Sequence, residues 1–182
     1  MSEVPRYTLR RIFKSAVTSQ NVIRELLQMI FVAELLAPGR ETWIVSPWIS
    51  DVTLLDNRAG GFDMLNPDWG RKEVRLVEVA VRILACGSRL IIVTRPVEHN
   101  RTFLERLRLA VREQGVDGLL TVIEREALHT KGILTDKGLL LGSMNLTYSG
   151  MELNDEVVEY DIDPVNRANA RLSFATYLEH SH

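Results

Sequence analysis

Helical and extended periodicities alternate along this chain, and that alternation restricts its fold more than any other feature. Across "TSQNVIRELLQMIFVAELLAPG" apolar residues recur at three- and four-residue steps, between candidate caps at Thr18 or Ser19 and a stop at Pro38-Gly39, as a buried helix requires. We place an N-terminal helical segment over about residues 8–37. "TWIVSPW" follows as a short β-rich run ended by Pro47, because proline cannot donate to a strand ladder. Residues 72–86 read as a largely buried helix stopped by Gly87, and "SRLIIVTRP" as a central strand. From His99 to Gln114 the pattern is amphipathic: Phe103, Leu104, Leu107 and Val111 share one face, Arg101, Arg108 and Arg112 another, and Gly115 ends the helix. "LLTVIE", "ALHTKGILT", "GLLLGS" and "NDEVVEYDI" are strand-like, and Pro164 opens a last helix through about Leu178. Interleaving of this kind implies an α/β layered domain. Its mixed central β-sheet is flanked by helices on both faces, with antiparallel pairing where the turns are tight.

A chain of 182 residues fits a single domain spanning 1–182, since independent folding units usually contain about 100 to 200 residues. The lone cysteine, Cys86, sits in the apolar run "VEVAVRILACG" and has no partner for an internal disulfide, which suits a reducing cytoplasm and a small buried hydrophobe. The N-terminus lacks the apolar core of a secretory signal, and the most apolar segment is interrupted by Arg24, Glu25, Gln28 and Glu34, so no membrane span is expected. With a formal charge of -2, any polyanion would be held by local clusters rather than by a global basic field. Residues 50–70 carry three glycines together with Asn57, Asn66 and Pro67, which reads as a long excursion without regular structure, and such loops are often functional.

The chemistry concentrates in "LHTKGILTDKGLLLGSMN", residues 128–145. On a strand, residues two apart point to the same side, so His129 and Lys131 would project an imidazole and an ammonium into one pocket. The run breaks at Thr135-Asp136-Lys137-Gly138, a turn signature in which Asp136 alone would simply stabilise a hairpin. After the return, Gly142 permits close backbone approach, and Ser143 and Asn145 place a hydroxyl and an amide at the start of a helical turn, where N–H groups favour anions. A single histidine or lysine would ordinarily be structural or solvated. The six identities at fixed offsets would coincide on the order of once in a hundred million starting positions.

His129-x-Lys131, four residues, Asp136, five residues, Gly142-Ser143-x-Asn145 resembles the HKD signature of the phospholipase D superfamily, in the form found in single-motif, nuclease-like bacterial members. "TWIVSPWISD" is similar to the early strand that many bacterial members set beside the active site, which makes Ser46 and Trp48 candidate substrate contacts, with Arg58 in the following loop. "NDEVVEY" resembles the family's acid-bearing strand, where Glu156 would take the place of the carboxylate that orients the histidine. The likeness covers about residues 40–162, and 129–145 is its diagnostic part.

The resemblance implies a phospholipase D-like fold and a phosphodiesterase working through a phosphohistidine. Catalytic roles would fall to His129, Lys131, Asp136 and Glu156, and phosphate binding to Gly142, Ser143 and Asn145. The scheme requires no metal and no cofactor. A cation held by His129, Asp136 and Asp155 is the competing reading, disfavoured because Lys131 would repel the ion. A second histidine is needed to protonate the leaving oxygen, yet the chain carries one copy of the motif. His99 lies outside any such pattern, and His180 and His182 are terminal. Small single-motif relatives supply the second copy from another subunit, so a homodimer with one shared site is expected.

Nucleic acid is the expected substrate. Arg101, Arg108 and Arg112, or Arg71, Lys72 and Arg75, would follow the phosphate backbone, and Trp48, Phe62 and Trp69 would stack on bases. Ordinary solvated helix faces and core packing are the plainer readings of these groups. Two other functions fit the same residues: a phosphodiesterase for phospholipid or other small diesters, and a non-catalytic nucleic-acid-binding subunit of a larger bacterial DNA-modification or defence complex.

Overall fold

The computed structural model describes residues 8–15 and 21–179. Its elements run β1 (Leu9–Lys14), α1 (Val22–Leu36), β2 (Glu41–Val45), β3 (Thr53–Asp56), β4 (Glu73–Arg75), α2 (Leu76–Ala85), β5 (Arg89–Thr94), α3 (Glu98–Glu113), β6 (Leu120–Glu124), β7 (Gly132–Leu134), β8 (Leu139–Gly142), β9 (Glu156–Asp161) and α4 (Pro164–Glu179). A π-helical turn, Ser149–Leu153, precedes β9. The main sheet has the order β1-β9-β8-β7-β2-β5-β6. β2, β5 and β6 are parallel, whereas β7, β8, β9 and β1 continue the sheet in antiparallel fashion.

Strand alternation sorts the apolar residues onto two faces. Ile44, Leu90, Ile92, Ile133, Leu140 and Val158 face a core shared with α1, α2 and α3, while Trp43, Val45, Ile91, Val93, Leu134 and Leu139 face one closed by Phe174 of α4. Because β2 and β5 are covered on both sides, their sequences are continuous apolar runs, as parallel central strands demand. Helices on both faces of a mixed sheet are the expected architecture. None of the helices of the described residues is long and apolar enough to cross a membrane.

Three local expectations are corrected. Residues 8–37 are not one helical segment: Leu9–Lys14 is an edge strand paired with β9, Arg11 opposite Glu159 and Phe13 opposite Val157, and the helix begins at Val22. The caps expected at Thr18 or Ser19 lie outside the described residues. The excursion at 50–70 contains β3, which pairs with β4 from the region read as the start of a helix, so α2 begins only at Leu76. Leu54 and Leu55, both fully buried, anchor that hairpin to the core. Finally, the strand expected from Ala127 is formed only from Gly132 to Leu134, leaving His129 and Lys131 on the loop that enters it. Gly87 and Gly115 terminate α2 and α3 with φ of 89° and 66°, a left-handed backbone that suits glycine.

Candidate active site

Register brings the separated pieces of the motif to one edge of the sheet. Val45 is opposite Gly132, Gly132 opposite Leu141, and Gly142 opposite Val158. The exits of β2 and β8 and the entries to β7 and β9 therefore lie side by side. Ser46, Lys131, Ser143 and Glu156 occupy that edge. Parallel β5 ends beside β2, which adds Arg95. Ligands in open α/β sheets bind outside the carboxyl ends of strands where the connections reverse, and β2 is such a strand, flanked by parallel β5 and antiparallel β7.

Gly142 is required where β8 meets β9: a Cβ there would stand 2.2 Å from the Val157 carbonyl oxygen and 2.9 Å from Val158 Cα. This close approach lets the Ser143 hydroxyl donate to the Glu156 carboxylate while accepting the Val157 N–H at 3.0 Å. Asn154 supplies a second donor to Glu156 at 3.4 Å. Glu156 is 8% exposed, so these donors offset part of its lost hydration.

His129 is exposed, and its carbonyl oxygen accepts a hydrogen bond from the Lys131 ammonium at 2.6 Å. Burial pushes the Lys131 ammonium below the ordinary lysine range; the Glu156 charge opposes that shift and Arg95 reinforces it. Lys131 thus lies in the fields of an acid and of a second cation. The Glu156 carboxylate is bonded to Ser143 and Asn154, not to the His129 ring.

Asn145 receives the Trp48 N–H on its side-chain oxygen at 3.4 Å, so its NH2 group is the end left to meet an anion. Ser46 is buried; its hydroxyl donates to the Trp48 carbonyl at 2.7 Å and accepts the Leu146 N–H at 3.0 Å. It fixes the loop instead of facing solvent. Trp48 is 37% exposed, with the Arg95 guanidinium 5.2 Å from its ring centre. The helical turn after the motif starts later than expected, at Ser149.

Asp136 and Arg58 are not brought to this edge. Asp136 lies in the turn at the far end of β7, where its carboxylate accepts the Arg40 N–H and binds Arg171 of α4, both at 2.8 Å. Arg58 pairs with Asp56 in the hairpin loop at 2.6 Å and holds that carboxyl down to about 2. The basic cluster at 71–75 is largely engaged: Arg71 pairs with Asp63, Lys72 with Glu78, and Arg75 donates to the Asp51 carbonyl. Trp69 is 5% exposed and belongs to the core, so it offers no stacking face, and Phe62 is half-buried against the same core. No cluster of three or more His, Cys, Asp or Glu side chains suited to a metal ion occurs among the described residues.

Two residues at the edge carry no signal in the motif. Asn100, 1% exposed, donates to the carbonyls of Pro47 and Arg95 and to the Thr94 hydroxyl, and accepts the Ile49 N–H. It ties the exits of β2 and β5 together. Arg95 ends "SRLIIVTRP", and a cation at the carboxyl end of a central strand was the available clue.

No protein-family model matches the sequence, and a search of curated proteins finds no match. Among solved structures, the chain is similar to NucT from Helicobacter pylori, with TM-score 0.60 and 15% identity over 94% of this chain and 96% of that one. It is equally similar to Nuc from Salmonella typhimurium, a phospholipase D family member, with TM-score 0.60 and 10% identity over 96% and 95%. Phosphatidylserine synthase from Haemophilus influenzae matches with TM-score 0.60 and 16% identity over 95% of this chain and 39% of that one. The fold is thus the mixed α/β fold of these phospholipase D-like structures.

Proposed function

We propose that this protein is a metal-independent phosphodiesterase of the phospholipase D type, cleaving DNA or RNA through a phosphohistidine in a site shared by two copies of the chain. One observation carries the reading: exposed His129 stands beside Lys131, Ser143, Asn145 and buried Glu156, all delivered to one sheet edge by β7, β8 and β9. The neutral His129 ring attacks phosphorus, forming a P–N bond as the P–O bond to the leaving group breaks. Lys131 and Asn145 stabilise the phosphoryl oxygens in the transition state. The leaving oxygen takes its proton from the second copy's own motif histidine. That group, now neutral, removes a proton from the water that breaks the P–N bond.

A second copy is invoked because the other described histidine is occupied elsewhere. The His99 ring is hydrogen-bonded to the Ser50 hydroxyl at 2.9 Å, and His180 and His182 lie outside the described residues. A two-fold axis beside the motif would bring two equivalent imidazoles around one phosphorus atom.

Nucleic acid is favoured by the disposition of α3. Its first turn is held against the Trp48 loop by Asn100, and its exposed Arg101, Arg108 and Arg112 extend away from the site along a helix about 24 Å long. Arg101 is paired with Glu98 at 2.7 Å, which leaves Arg108 and Arg112 as the stronger backbone contacts. The test is cleavage of single- and double-stranded DNA and RNA in excess EDTA by wild type, His129→Ala and Lys131→Ala. Cleavage by wild type and its loss in both variants support the reading; loss of all wild-type cleavage in EDTA, or an active His129→Ala protein, contradicts it.

A further inference from the structure

Resting on that reading of the site, the geometry points to Arg95 as a second phosphate-binding cation that works with Lys131 and touches the non-bridging oxygens of the bound diester.

Three observations converge on it. Arg95 leaves β5 at the same edge as Lys131, and its charge acts on the Lys131 ammonium. Its guanidinium lies over Trp48 at 5.2 Å, and Trp48 is joined through its backbone N–H to Asn145; the group is therefore held in place by packing. Finally, the Arg95 Nε is buried without a hydrogen-bond partner, and no carboxylate of the described residues pairs with Arg95. With no acid neutralising it, the guanidinium keeps its charge for an incoming anion, and its terminal N–H groups, which unlike Nε are not enclosed, can bond a phosphoryl oxygen.

Charge balance gives Arg95 its task. Lys131 shares the site with buried Glu156, so those two together are electrically neutral and offer little net attraction for an anion. Arg95 adds the uncompensated positive charge, which one diester monoanion neutralises. Its planar fork can also bond two oxygens at once, which the lysine ammonium cannot do with the same directionality. The ligand class is therefore a singly charged phosphodiester or a tetrahedral oxyanion that imitates it.

Binding of sodium tungstate by calorimetry and hydrolysis of bis(p-nitrophenyl) phosphate are measured on wild type, Arg95→Gln, Arg95→Lys and Arg95→Met. The Met variant retains the apolar packing on Trp48 and replaces Gln if that protein does not melt cooperatively. A charge-assisted hydrogen bond contributes about 1.5–3 kcal/mol, roughly a ten- to hundredfold change. The Gln or Met variant is expected to weaken tungstate by at least about tenfold and to raise KM more than it lowers kcat, and Lys to recover part of the binding. Unaltered tungstate affinity in a folded Gln or Met variant, or wild type that does not bind tungstate, overturns the assignment. Arg95-dependent tungstate binding by a wild-type protein that hydrolyses no diester would sustain the inference while removing the phosphodiesterase reading.

Discussion

Lys131 and Asp136, five residues apart, flank opposite ends of the short strand Gly132–Leu134 and face different environments. At about 3.3 Å per residue they are separated by on the order of 15 Å. Lys131 belongs to the candidate site, whereas Asp136 holds the β7–β8 turn to Arg171 and to the Arg40 N–H. In this protein the aspartate of the motif fastens the β7–β8 turn to α4, at the end of the strands opposite Lys131 and Ser143.

Asp136→Ala should therefore lower stability more than it lowers turnover. It leaves the Arg40 N–H without its acceptor and the half-buried Arg171 guanidinium with Glu41 as its remaining carboxylate, a loss of about 1–3 kcal/mol, or a drop of roughly 3–8 °C in Tm for a chain of this size. Thermal melting alongside kcat per folded molecule checks this. A kcat reduced a thousandfold at unchanged Tm would assign Asp136 to the chemistry.

Alkaline pH should inactivate the protein earlier than an ordinary lysine would dictate. Burial lowers the Lys131 pKa, so its charge is lost below the usual range, and the upper limb of the rate profile falls with it. Lys131→Arg, charged to above about pH 12, should abolish that limb even if the rate is reduced. The same shift has the opposite sign for stability. Between the lowered folded value and the unfolded value the unfolded chain binds more protons, so this group makes stability rise with pH across that window. A pH–rate profile of the two proteins decides the first point, and denaturant midpoints across alkaline pH the second.

Glu156→Gln removes the negative charge that favours protonated Lys131, so the alkaline limb should move to lower pH. Glu156→Ala also deprives the Ser143 hydroxyl of its acceptor and should lower kcat by about ten- to a hundredfold, a change of about 1.4–2.7 kcal/mol in barrier. An unmoved limb in Glu156→Gln would separate Glu156 from Lys131 electrostatically.

Gly142→Ala should be among the most disruptive one-methyl changes in the chain. The added carbon would collide with the backbone of Val157 and Val158, which cannot swing aside as a side chain could, and overpacking of this kind costs about 1–3 kcal/mol. β8 would be pushed away from β9, and Ser143 away from Glu156. Wild-type Tm and kcat in this variant would show that the β8–β9 approach has more freedom than the geometry indicates.

Sequence patterns revealed those parts of the fold whose physics is local. The apolar faces of α1 and α3, the glycine stops at Gly87 and Gly115, the Thr135–Gly138 turn and the Pro164 helix start all depend on neighbours within a few residues. β1 was illegible because "LRRIFK" is an edge strand with most side chains exposed, and it pairs with β9 more than 140 positions away. β3 was missed for a similar reason: its pairing partner, β4, lies beyond a long loop. For the candidate site, the motif spacing pointed to His129, Lys131, Ser143 and Asn145, which the strands bring to one edge, but the buried roles of Ser46 and Asn100 depend on loops meeting across the sheet. The likeness to a family also led to the placement of Asp136 among catalytic groups, where one strand length of geometry separates it from them.

The most direct test of the account is to trap the covalent intermediate. Wild-type protein is mixed briefly with a 32P-labelled diester in EDTA, quenched in alkali, digested and sequenced by mass spectrometry. An acid-labile, alkali-stable phosphoryl group that still carries the retained half of the diester is expected on His129, and is absent from His129→Ala. Label on any other residue, or cleavage that proceeds fully in His129→Ala, would contradict it.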